Sequence, residues 1–280
     1  MSALALLSTV FLGVFGALIG SFLNVVVYRV PAGRSIVSPP SSCGSCGEGI
    51  RPYDNIPVVS WLALRGKCRS CRAAISVRYP LVEAATAVAF VGVAWWFWFG
   101  PEAPTAHTGT AIAAGLLETV AFLYLVAVSV VLALIDLDTH RLPNAIVLPS
   151  YGVGAVLLGV SALLTGDAGA LVSAVVGAAA LFAFYLVLAL VRPGGMGFGD
   201  VKLAGVLGLF LGFLGWSTLA VGAFAAFLLG GLYAIALLAA RRTERGGGIP
   251  FGPWMLAGAW LGILAGPTIG SVYLALLGFA

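Results

Sequence analysis

The chain has 280 residues, of which 61% are hydrophobic and 9% charged, and its mean hydropathy is +1.10. Fourteen Lys and Arg against ten Asp and Glu leave a net charge of +4. So apolar a composition excludes a soluble globular domain, and the long, uniformly apolar runs exclude a β-barrel, whose strands would be short and alternating. The predicted fold class is therefore all-α and polytopic, a bundle of membrane-spanning helices.

Taken in chain order, the apolar blocks fall at roughly 5–27, 81–99, 112–135, 145–164, 168–191, 203–240 and 254–277, against about 20 residues per span. The first block carries no basic segment before it, so it reads as a retained span and not a cleaved signal peptide. Gly16 with Gly20, and Gly208 with Gly212, form Gly-x-x-x-Gly pairs that can let helices approach closely or can simply reflect how common glycine is in membrane helices.

Between the first two spans lies a polar insert of about 50 residues, rich in Pro, Ser, Gly and Arg. A segment of that size rarely builds a sufficient core and needs a metal, a disulfide or a partner surface. All four cysteines of the chain lie here, as CGSC (Cys43, Cys46) and CRSC (Cys68, Cys71), separated by 21 residues. Two such knuckles can offer four thiolates to a tetrahedral Zn²⁺ in a closed, structural site. A pair of disulfides or a redox C-x-x-C is the competing reading, which a reducing compartment disfavours. The surrounding Arg65, Lys67, Arg69 and Arg72 read equally as a solvated face beside anionic lipid or as a ligand surface.

The third block ends in a polar island, IDLDTHRLPN, with Asp136, Asp138, His140 and Asn144. Two residues apart on a helix, Asp136 and Asp138 point about 200° away from each other, so one of them faces a given partner. After the fifth block comes GMGFGDVKL, Gly195 to Leu203, which brings Asp200 and Lys202 to the edge of the sixth block. A single helix over 203–240 would run about 57 Å against about 30 Å of hydrocarbon. The expectation is two spans broken near GWST, Gly215 to Thr218, giving eight in all.

Charge supports that count. With eight spans all fourteen basic residues fall on one side, including Arg141, Arg192, Lys202, Arg241, Arg242 and Arg245. That side is then cytoplasmic, and the positive charge reflects topology and not nucleic-acid binding. Span three runs inward and span six outward, so Asp136 and Asp200 share one depth at the cytoplasmic boundary. Two carboxylates that meet share a proton near neutrality, as in aspartic proteases. From spacing alone, paired membrane acids point first to peptide hydrolysis, with ion transport and structure as alternatives, and Asp200 could pair with Lys202 or sit at a helix N-terminus.

The set of motifs in order, GSFLNVVVYRVP (Gly20 to Pro31), the two knuckles, IRPYDNIPVVSWLALRGKC (Ile50 to Cys68), RYPLVE (Arg78 to Glu83), IDLDTHRLPN (Ile135 to Asn144), GMGFGDVKL and IPFGPW (Ile249 to Trp254), resembles the bacterial type IV prepilin peptidases over nearly the whole chain. The resemblance implies a bifunctional leader peptidase and N-methyltransferase of the Gly-x-Gly-Asp class of intramembrane aspartic proteases. It implies Asp136 and Asp200 as the catalytic pair, with Gly197, Gly199, Lys202, Asp138, His140 and Glu83 as further candidates near the site. His140 reads better as a hydrogen-bonding or surface residue than as a base; Glu83 reads equally as a partner of the insert or substrate and as a helix N-terminal carboxylate. The implied substrates are prepilins and pseudopilins inserted in the lipid of the bacterial inner membrane, cut at the cytoplasmic face, then methylated with S-adenosylmethionine. Gly66 and Lys67 are the weak candidates for cofactor binding, with a tight turn into the second knuckle as the alternative. The family pattern usually ends its first motif in Leu-Pro-Asp, where this chain has Asn144. The expected organisation is a first span (1–28), a zinc-binding insert (29–80) and a seven-helix peptidase core (81–280). A membrane ion transporter and a noncatalytic docking module are the rival readings.

Overall fold

The computed structural model describes residues 3–100, 108–192, 195–240 and 250–278. Arg241, Arg242, Arg245 and Ile249 of the sequence reading lie outside the described residues. Among the described residues there are eight long α-helices and one short one, besides a 3-10 turn at Pro52–Asp54: α1 (Ala3–Arg29), α2 (Val59–Ala63), α3 (Arg78–Phe99), α4 (Gly109–Thr139), α5 (Asn144–Thr165), α6 (Ala168–Val191), α7 (Phe198–Leu214), α8 (Trp216–Ala239) and α9 (Gly252–Leu276). Seven of the long helices have the length and apolarity to cross a membrane. The eighth, α7, has 17 residues and spans about 26 Å.

The break between α7 and α8 falls where the sequence reading put it. Gly215 closes one helix and opens the next at φ 119°, ψ 170°, a backbone region that glycine reaches without steric cost. One residue therefore reverses the chain. Elsewhere the ends follow local chemistry. The Thr108 hydroxyl accepts the Ala111 N–H at the start of α4, and the Asp167 carboxylate accepts the Ala170 N–H at 2.9 Å at the start of α6, each satisfying a donor left over at a helix N-terminus.

The chain divides into two compact units, Met1–Thr105 with Phe122–Val131, and Ala106–Ala121 with Leu132–Ala280. In the first, α1 packs on α3 through Gly16 and Gly20: a Cβ at Gly20 would stand 2.8 Å from the Glu83 Cα, and one at Gly16 2.9 Å from the Ala87 Cα. In the second, Gly177 of α6 lies against Gly208 of α7, and Ser173 against Gly212. Both Gly-x-x-x-Gly pairs thus sit in helix contacts, where small residues let backbones come close.

Candidate active site and metal centre

The second unit assembles the acidic site from the ends of three helices. α4 continues through Thr139 and stops at His140, which adopts φ 52°, while its N–H still donates to the Asp136 carbonyl at 2.8 Å. The helix phase then separates the two acids as expected. Asp136 is 5% exposed, whereas Asp138 faces outward. Asp136 Oδ2 accepts the Gly252 N–H at 3.0 Å, the first residue of α9. That amide is one of the orphan donors of a helix N-terminus, and an anion there is favoured by the helix dipole.

Asp200 sits in the first turn of α7 and its Oδ2 accepts the Gly197 N–H at 3.1 Å, while the Asp200 N–H donates back to the Gly197 carbonyl at 3.0 Å. Leu142 packs between the backbone positions that neighbour the two acids. A Cβ at Gly199, next to Asp200, would stand 3.0 Å from Leu142 Cβ; one at Gly252, against Asp136, would stand 3.3 Å from Leu142 Cδ2 and 2.8 Å from Asp136 Oδ2. Asp200 lies within electrostatic reach of Asp136. Each acid thus has one oxygen fixed by a backbone amide.

The remaining candidates take different positions. Lys202 does not pair with Asp200: its Nζ donates to Asn144 Oδ1 at 2.9 Å and lies 4.9 Å from the Phe198 ring centroid, and its carbonyl accepts the Tyr151 hydroxyl at 2.7 Å. Asn144 therefore serves as a neutral acceptor joining the start of α5 to α7. His140 is exposed beside Asp136, whose charge it meets electrostatically. Sequence reasoning missed Tyr185 and gave Phe251, within the IPFGPW motif, no role. Tyr185 of α6 is 2% exposed, within electrostatic reach of Asp200, and its ring packs against Phe227 and Phe251. Phe251 directly precedes Gly252 and lies over Gly230 of α8. An aromatic residue in an apolar run has no sequence mark that separates it from core packing.

In the first unit the four cysteines are free thiols whose sulfurs all lie within 4.8 Å of one another, with Cys43 and Cys71 at 3.8 Å. Four sulfurs about 2.3 Å from a central ion would be about 3.8 Å apart, so the donor set fits a tetrahedral metal. The two knuckles repeat one construction. The Cys43 N–H donates to the Glu48 carbonyl and the Cys68 N–H to the Ala73 carbonyl, both at 2.8 Å; Gly47 and Arg72 then donate back to Cys43 and Cys68. Each knuckle is framed by an isolated bridge, Ser42 with Gly49 and Lys67 with Ala74. Backbone amides of Cys46 and Ser45 pull the Cys43 thiol down to about 6. Cys46 has a Glu48 amide pulling it down, yet the Cys71 and Cys43 sulfurs push it up to about 12. Four such sulfurs cannot all ionise together without a cation.

The rest of the insert is tied to this centre and to α3. Arg69 clamps both oxygens of Asp54 and holds that carboxyl below its usual range, and its guanidinium lies 5.5 Å from the Tyr53 ring centroid. Gly66 is buried at φ 67° under Trp61, where a Cβ would stand 2.8 Å from a ring carbon, and Lys67 is exposed. Packing of this turn accounts for Gly66. Glu83 is 8% exposed and its Oε2 accepts the Val58 N–H at 2.7 Å, fixing the start of α2.

Comparison with known proteins gives a consistent result. Residues 14–97 match the bacterial peptidase A24 N-terminal domain, and residues 123–235 match the type IV leader peptidase family. Similar proteins named prepilin leader peptidase/N-methyltransferase include those of Pseudomonas aeruginosa (38% identical, covering 94% of this chain and 92% of the relative). Those of Pseudomonas putida (36%; 95% and 93%) and Neisseria gonorrhoeae (34%; 91% and 90%) carry the same name. No solved structure matches the chain.

Proposed function

This chain belongs to the type IV leader peptidase family, the prepilin leader peptidases/N-methyltransferases, and from that membership we propose that it cuts the leader from prepilins or pseudopilins with Asp136 and Asp200 and then methylates the new N-terminus. The observation that supports the reading is two carboxylates on separate helices, each with one oxygen held by a backbone amide, with Leu142 packed between the residues beside them. Such a pair shares one proton. The unprotonated carboxylate takes a proton from water as it attacks the scissile carbonyl, and the protonated one gives its proton to the carbonyl oxygen. Collapse of the tetrahedral adduct returns that proton, and the leaving nitrogen departs as an amine with the proton taken from water. The site lies in the last turn of α4 and the first turn of α7, at the boundary that water and the basic leader reach from the cytoplasm of a bacterial inner membrane. Asp136, Asp138 and Asp200 attract that basic segment.

The metal is Zn²⁺ in this reading, held by Cys43, Cys46, Cys68 and Cys71. With all four positions filled by protein, its contribution is to fold the insert and not to act on substrate. S-adenosylmethionine would supply the methyl group. The transport reading has no observation in its favour beyond the acids themselves.

The test is mass spectrometry of a purified prepilin incubated with the detergent-solubilised protein, with and without S-adenosylmethionine. We expect leader loss plus the mass of one methyl, and no leader loss in Asp136→Asn or Asp200→Asn. An intact leader with folded wild-type protein, or wild-type cleavage by either variant, overturns the peptidase reading; cleavage without a methyl removes the second activity.

A further inference from the structure

We propose that Tyr151 is a positioning residue of the acidic site: by holding the backbone of α7 one turn into that helix, its hydroxyl fixes how the helix is rotated and so where Asp200 points. The kinetic consequence rests on the peptidase reading; the geometry does not.

Helices α5 and α7 run side by side in the same direction. Leu142, just before α5, meets Gly199, where a Cβ would stand 3.0 Å from Leu142 Cβ. The Tyr151 hydroxyl donates to the Lys202 carbonyl at 2.7 Å. Further along, a Cβ at Gly154 would stand 2.9 Å from Leu209 Cδ2 and 2.7 Å from a Phe210 ring carbon. Residue numbers rise together along both helices, so these contacts define one register. Lys202 is held twice from α5, since its Nζ also donates to Asn144 Oδ1 at 2.9 Å. At about 100° per residue, Lys202, Gly205 and Leu209 lie about 140° to 180° around α7 from Asp200. The opposite face carries Ala204, Leu207 and Leu211 in line with Asp200, and these three line a small apolar cavity with Met255 of α9. α5 therefore grips the back of α7 while Asp200 heads its front.

The bonds between Asp200 and Gly197 close within the first turn of α7. They shape that turn, but they cannot aim it at Asp136 on another helix. The hold from outside comes from α5, two residues beyond Asp200, at the Lys202 carbonyl. A helical carbonyl has two lone pairs and its own helix uses one; the Tyr151 hydroxyl takes the other. Removing the hydroxyl thus orphans no backbone group of α7, and what it releases is the rotation of the helix. The phenol reaches this carbonyl because residue 205 is glycine: a Cβ there would overlap the Tyr151 oxygen. A reacting carboxylate displaced by about 1 Å can lose about two orders of magnitude in rate, so a hold on its helix is a hold on turnover.

The experiment compares Tyr151→Phe, Gly205→Ala and the double variant with the wild-type protein, each solubilised in detergent and given a purified prepilin. Tyr151→Phe keeps the ring and deletes the oxygen. Its kcat should fall about five-fold or more, the loss of one neutral hydrogen bond or greater, with KM and thermal unfolding temperature unchanged. Gly205→Ala should lower kcat by at least as much, because its methyl displaces the same hydroxyl. The double variant should be no slower than Gly205→Ala alone, since both changes remove one bond. Wild-type kcat in Tyr151→Phe overturns the proposal, and so does a double variant whose loss is the product of the two single losses. A fall in kcat that comes with a raised KM and a lowered unfolding temperature assigns Tyr151 to packing alone and also overturns it. Hydrogen exchange separates this from the peptidase reading. Whether or not any prepilin is cut, the amides of residues 202–206 should exchange faster in Tyr151→Phe while those of α9 keep their wild-type rates, and unchanged exchange at 202–206 overturns the hold on α7.

Discussion

Asp136 and Asp200 share their surroundings with small residues whose size is set by contact. A methyl added at Gly252 would stand 2.8 Å from Asp136 Oδ2 and 3.3 Å from Leu142 Cδ2, whereas Gly231 has nothing within 4 Å of its Cβ position. Gly252→Ala should therefore displace the Asp136 carboxylate from its amide and lower prepilin cleavage at least about ten-fold, since misplacement by about 1 Å can cost two orders of magnitude. Gly231→Ala should leave cleavage unchanged in the same assay. Asn144 shows how a residue that departs from a family pattern can still be integrated. As an amide it accepts from Lys202 at 2.9 Å without adding a negative charge. The sequence singled out both acids as candidates, and helix phase separated Asp136 from Asp138. It did not reveal that Tyr185 stands level with Asp200, because an aromatic side chain in an apolar run has the same pattern whichever residues it meets.

At the level of elements, the two cysteine knuckles are the same turn with one difference. Gly47 and Arg72 occupy equivalent positions, at φ 74° and φ 62°. The left-handed conformation costs a residue with a Cβ about 1–2 kcal/mol. Arg72→Gly should relieve that, less the extra chain entropy of glycine, and stabilise the metal-bound knuckle by up to about 1 kcal/mol. A chelator titration should show the variant releasing its metal at higher chelator concentration than wild type. Stripping the metal should act on the insert alone. Backbone amides of residues 41–75 should lose hydrogen-exchange protection while those of α6 and α7 keep theirs, because the insert is too small to fold on its own core. Re-addition of Zn²⁺ should restore protection. The Val58 amide held by Glu83 should remain the last protected site, being anchored to α3.

For the molecule as a whole, the topology rests on the parity of spans, and the hairpin at Gly215 decides that parity. Alkaline phosphatase fused after Gly166, in the turn between α5 and α6, should be active outside the membrane, and a fusion after Arg141 inactive. The reverse pattern would invert the orientation. Membrane class, the number and order of long helices, the break at Gly215 and the cysteine grouping were all legible in the sequence, because each depends on local composition, periodicity or turn chemistry. Glycine pairs were legible as pairs but not as contacts, since their partners on α3 and α6 lie far along the chain. Which residues surround the two carboxylates was decided by tertiary structure. The Gly252 amide reaches Asp136 across 116 residues, Lys202 turns away from Asp200 to Asn144 across 58, and the α6–α7 register brings Tyr185 level with Asp200. Local sequence sets where each helix starts and which way its faces point; the packing of those faces against distant helices sets what each side chain meets.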